Sequence, residues 1–63
     1  MYSIKVTKDT LTTAAMNDLL DSRDALDYFC GMMEARGEDS GERYYEYASL
    51  FNAVNAEIER RGA

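Results

Sequence analysis

Four aspartates recur at every third position, Asp18, Asp21, Asp24 and Asp27, and carboxylates in such an array suit three kinds of chemistry. They can stand in for the phosphates of a nucleic acid, hold a cation, or pass protons as a general acid and base. On a helix, steps of three turn the array by about 60° each, so it spirals over half the surface instead of forming one stripe. A cation site built of carboxylates alone calls for an ordered loop such as the twelve-residue calcium pattern, which the chain lacks. Acid–base work calls for a concave, desolvated setting, and two helices with one short strand offer little concavity. What is left is a phosphate-like charge array or a solvated helix surface. A second group of acids, Glu34, Glu38, Asp39, Glu42 and Glu46, surrounds a glycine-flanked turn. Helix capping accounts for Asp39 and Glu42, and no local role accounts for the other three. Asp21, Asp24, Glu34, Glu38 and Glu46 are therefore the expected contacts for arginines and lysines of a partner.

Cys30 is the only cysteine and there is no histidine. The familiar Cys–His nucleophile cannot be built, nor can the usual zinc sets, and glycine-rich phosphate loops are absent. The reading is a non-enzyme without catalytic residues, metal or cofactor. Five tyrosines supply the aromatic surface. Tyr44 and Tyr47 fall on an apolar helical stripe and belong to a core, whereas Tyr28 and Tyr45 face outward and are the expected aromatic contacts for a partner.

Twelve acids against seven bases give a net charge of −5. Lys5 and Lys8 make the first eight residues +2, so the remainder carries −7. That balance repels bulk nucleic acid and is attracted to basic surfaces, such as those of proteins that themselves bind DNA or RNA. The two N-terminal lysines precede no apolar run, so neither a signal peptide nor a membrane span is expected, and the cytoplasm is the expected location. With 63 residues the chain is one domain, able to bury roughly 60% of its unfolded surface. No disulfide or zinc can assist it, which leaves oligomerisation as the route to added stability.

In Tyr2-Ser3-Ile4-Lys5-Val6-Thr7 apolar and polar positions alternate, the period of a half-buried strand. No second strand follows, and a lone strand leaves backbone groups that recruit another chain. From about 11 to 36 the stripe Thr12, Ala15, Leu19, Ser22, Leu26, Phe29 and Met33 marks a helix, with Thr10 or Thr12 as N-cap and Gly37 as stop. Residues 37–41 read as a tight loop. A second helix from about 41 to 61 carries the stripe Tyr44, Tyr47, Phe51, Val54 and Ile58, with Asp39 and Glu42 arranged like a capping box and Glu57 paired to Arg61.

The outer face of the second helix holds Ser49, Ala53 and Ala56, small residues at spacings that let another helix approach closely. Together with Ile4 and Val6 of the strand they are the expected self-association surface. The predicted fold is mostly α: a short N-terminal β-strand at 2–7 followed by a two-helix antiparallel hairpin, completed by dimerisation.

In size, acidity and lack of enzymatic motifs the whole chain resembles the small inhibitors that phages and mobile elements use against host defences, the anti-CRISPR proteins among them. The resemblance implies a protein that occludes a basic target in the cytoplasm of a host cell, and it carries no binding residue over. The order strand, helix, helix is also similar to the ribbon-helix-helix DNA-binding regulators, which would set Ser3, Lys5 and Thr7 in a major groove as a dimer. Against this stand the length of the first helix and the −7 of the helical part, close to where phosphates would lie. A structural subunit of a larger assembly is the third reading.

Overall fold

The computed structural model describes residues 3–62, so Tyr2 of the predicted strand lies outside the described residues. Two helices form an antiparallel hairpin, α1 at Met16–Ala35 and α2 at Glu42–Arg60. Their facing stripes bury Leu19, Leu26, Val54 and Ile58, joined by Ala25 from α1. Half-buried Leu20, Tyr47, Leu50 and Phe51 pack around this centre.

Among the described residues there is no β-strand. The alternation at 3–7 serves a different purpose from the predicted one. Val6 is buried in the helical core and Ile4 packs against it, while Ser3, Lys5 and Thr7 are exposed. Hydroxyls take the place of a neighbouring strand: the Lys5 N–H donates to Ser22 Oγ at 2.8 Å, and the Thr7 N–H donates to Thr10 Oγ1 at 2.9 Å. The segment is a strap laid along one face of the hairpin. Lys5 Nζ reaches Asp21 on α1 at 2.8 Å and Lys8 Nζ reaches Ser49 on α2 at 2.7 Å, so both helices hold it.

α1 begins five residues later than its expected start at 11. Residues 7–14 make turns, with Thr13 and Ala14 N–H donating to the Thr10 carbonyl. Thr7, Thr10, Thr12 and Thr13 are β-branched, and the hydroxyls of Thr7, Thr10 and Thr13 bond locally, which favours turns over a helical first turn. Neither Thr10 nor Thr12 caps the helix. Ala15 does, without a side-chain bond, and Thr12 and Ala15 are exposed, not part of the core stripe.

The hairpin turn follows the sequence reading more closely. Gly37 adopts φ 75°, its N–H donates to the Glu34 carbonyl, and the Glu38 N–H donates to the Met33 carbonyl. This paired closure satisfies the last carbonyls of α1 and needs a residue at ease with positive φ. The Asp39 cap does not form, because α2 starts from Gly41 with no side-chain cap bond. Glu42 remains in the first turn at the positive end of the helix dipole.

The far end of the hairpin is closed by Glu57. Its side chain is only 7% exposed and accepts from Arg60 Nε at 2.9 Å, from Arg60 Nη2, and from Arg61 Nε at 2.8 Å. These bonds, Arg60 first, outweigh burial and hold its carboxyl down at about 2. Arg61 Nη2 donates onward to the Leu11 and Thr12 carbonyls at 3.0 and 3.3 Å, which ties the threonine turns to the end of α2. The i,i+4 pair was legible in the sequence; the burial of Glu57 and its role as an anchor for the turns were not.

Candidate functional site

Charge divides the hairpin along its length. Residues 27–48, the tip half, hold Asp27, Glu34, Glu38, Asp39, Glu42 and Glu46 against Arg36 and Arg43, a net −4 out of −5. Every ion pair among the described residues lies outside that half: Lys5–Asp21, Arg23–Asp24, and Glu57 with Arg60 and Arg61. The base pairs Asp21, Asp24 and Glu57 with cations and leaves Asp9, Asp18 and Glu59 without an ion pair among the described residues. The tip pairs none of its acids with a cation among the described residues.

This division separates the acids expected to meet a partner. Asp21 is engaged by Lys5, and Asp24 lies 3.8 Å from Arg23, so both belong to the paired half. Glu34, Glu38 and Glu46 are exposed on the tip. Tyr45 is 62% exposed and stands edge-on to Tyr44, with ring centroids 6.1 Å apart. Tyr28 is 44% exposed and meets Phe29 edge-on at 5.7 Å. Ile4 and Val6 pack within their own chain, and Ser49 accepts from Lys8, so the strap already covers part of the surface expected for self-association. Ala53 is half-buried and Ala56 exposed.

The strap also gives the hairpin two unlike faces. At 100° per residue, Asp21 and Ser49 project to one side of the core line and Asp27, Glu34, Ala48 and Asn52 to the other. On that other face a shallow groove of about 340 Å³ runs between the helices. Asp27, Cys30, Gly31 and Glu34 form its α1 wall, and Tyr44, Ala48, Phe51 and Asn52 its α2 wall. Tyr44 OH donates to Glu34 Oε2 at 2.6 Å across the groove mouth. The bond to Glu34 pushes the Tyr44 phenol up to about 12, which keeps it a donor and holds the carboxylate in place. Asp27 has no hydrogen bond or ion pair among the described residues.

Two further groups define what the groove can do. Partial burial, then the nearby Glu34 and Asp27 carboxylates, push the Cys30 thiol up from its ordinary value, so at neutral pH it stays protonated. Gly31 sits in mid-helix with ordinary backbone, where glycine is less favourable than alanine by about 1 kcal/mol. An added Cβ there would meet nothing within 4 Å, so close packing in the fold does not call for it.

Asp27, Gly31, Ala48, Phe51 and Asn52 were not among the residues expected at a site. The wheel count does set Gly31 and Asn52 on outward faces. Which outward face stays open depends on where the strap lies, and that follows from the Ser22 and Lys8 bonds. Among the described residues no cluster of side chains could hold a metal ion, and no helix is long and apolar enough to cross a membrane. Comparison with models of protein families, with curated proteins and with solved structures gave no match for this chain.

Proposed function

We propose that this chain is a non-enzymatic interaction protein whose acidic hairpin tip binds and blocks a basic protein surface, of the kind that normally holds nucleic acid. One observation carries the reading. The tip half holds −4 of the net charge and makes no ion pair of its own among the described residues, while the base half carries −1 and holds every ion pair among them. Carboxylates without a cation of their own, set on two helices and their turn, offer arginines and lysines charge-assisted hydrogen bonds. Tyr45 supplies an exposed aromatic surface beside them. The role is that of the small phage-type inhibitors, the anti-CRISPR proteins included, which the sequence resembles in size and charge.

The DNA-regulator reading draws less support. Ser3, Lys5 and Thr7 do face outward, yet the Lys5 ammonium that would enter the groove is bonded to Asp21, and Lys8 beside it to Ser49. Self-association of two hairpins is compatible with the tip reading and is not needed by it.

The test is displacement. Added to a labelled duplex bound to a basic nucleic-acid-binding protein, the chain should release the duplex at low salt and lose potency as ionic strength rises. No release at any salt concentration would remove the blocking role.

A further inference from the structure

We propose that the groove opposite the strap receives one arginine side chain of the basic partner, the guanidinium between Asp27 and Glu34 and the stem over the notch at Gly31. The inference deepens the reading above and rests on it for the partner. Three independent features meet in this groove. Its carboxylates lie two helical turns apart on one wall, about 10 Å along the axis, one unpaired and the other held in place by Tyr44. Ala48 and Phe51 give the opposite wall an apolar stretch between Tyr44 and Asn52. Between the acids stands Gly31, a residue unfavourable in a helix interior, with open space where its side chain would be. A glycine without a packing role in mid-helix fits a place where another molecule comes close.

Arginine suits these walls better than lysine. Its planar, weakly hydrated guanidinium forks onto carboxylates and stacks on aromatic faces, here Tyr44 and Phe51, whereas an ammonium is a strongly hydrated point charge. The apolar stem has the Ala48 and Phe51 wall to lie against.

The test uses the full chain and two fluorescein-labelled peptides, nona-arginine and nona-lysine, titrated by anisotropy. The wild type should bind nona-arginine more tightly than nona-lysine. Gly31→Leu should lower nona-arginine affinity about tenfold, with nona-lysine affinity nearly unchanged and helicity retained by circular dichroism. Gly31→Ala, which keeps the helix and adds a single methyl, should give a smaller loss in the same direction. Equal affinity for the two peptides, or unchanged nona-arginine binding in both Gly31 variants, would overturn the groove assignment. The tip variant Glu38→Lys/Glu46→Lys separates the two levels. If it weakens binding while the Gly31 variants do not, the acidic tip stands and the arginine groove falls; if neither weakens binding, both fall.

Discussion

The hydroxyl of Ser22, fully buried on α1, accepts the backbone N–H of Lys5 at 2.8 Å. This bond explains why a strand-like segment needs no second strand here. A serine in an apolar helical stripe supplies the acceptor that a neighbouring strand would otherwise provide, and Val6 then enters the core one residue further on. Ser22→Ala should lower stability by about 1 kcal/mol, roughly 4–8 °C in thermal midpoint for a domain of this size. The variant should also let proteases cut sooner within residues 3–10. Unchanged stability and cutting would mean that the strap is held by Val6 and the lysines alone.

Leu26 is the test of the helical core itself. It is fully buried between the helices, and Leu26→Ala removes its packing for about 2–5 kcal/mol. At about 4–8 °C per kcal/mol for a domain of this size, the variant should melt at least about 8 °C lower by circular dichroism.

Two glycines of the tip, Gly31 and Gly37, should respond with opposite signs. Gly37 adopts φ 75°, where an alanine would be strained, so Gly37→Ala should destabilise by about 1–2 kcal/mol. Gly31 has ordinary backbone and open space, so Gly31→Ala should stabilise by up to about 1 kcal/mol. Chemical denaturation of both variants checks the pair of signs.

Stability should fall at both ends of the pH scale for separate reasons. Glu57 titrates at about 2 in the folded chain against an ordinary 4.5, so its contribution is full above 4.5 and is lost as pH falls toward 2. Tyr44 is raised to about 12 from 10, so its bond to Glu34 contributes fully below pH 10 and is lost as pH rises toward 12. Glu57→Gln should flatten the acid limb, and Tyr44→Phe the alkaline one, in thermal melts across pH.

The helices, the loop at 37–41 and the stop at Gly37 were legible because each depends on local signals: apolar steps of three and four, a glycine at the end, acids in a first turn. The start of α1 was not. Its stripe extends on paper to Thr12, but threonine hydroxyls settle residues 7–14 into turns that Arg61 then holds from fifty residues away. The strap was read as a strand because its alternation is genuine; what period alone could not convey is that a helical hairpin can accept it. For the candidate site, Glu34, Glu38 and Glu46 stood out in the sequence as acids that helix capping does not explain, while the Tyr44 bond to Glu34 did not. Asp21 and Asp24 were not separable from them, since their cations approach from the strap and from the neighbouring Arg23.

Cys30 offers a check on the groove that does not depend on any partner. Its thiol is held above its ordinary value by partial burial and by the Glu34 and Asp27 carboxylates. Alkylation by iodoacetamide at pH 8 should be slower in the folded chain than in the same chain in urea, and Asp27→Asn/Glu34→Gln should speed it in the folded state.

The most direct test of the acidic-tip account compares two variants of equal charge change in the duplex-displacement titration. Glu38→Lys/Glu46→Lys reverses two unpaired acids of the tip; Asp9→Lys/Glu59→Lys reverses two acids outside it that make no ion pair among the described residues. The account expects the tip variant to lose about tenfold or more in potency at low salt, and the other to stay within about threefold of wild type. Equal losses in both would show that net charge alone acts, and would contradict a site at the tip.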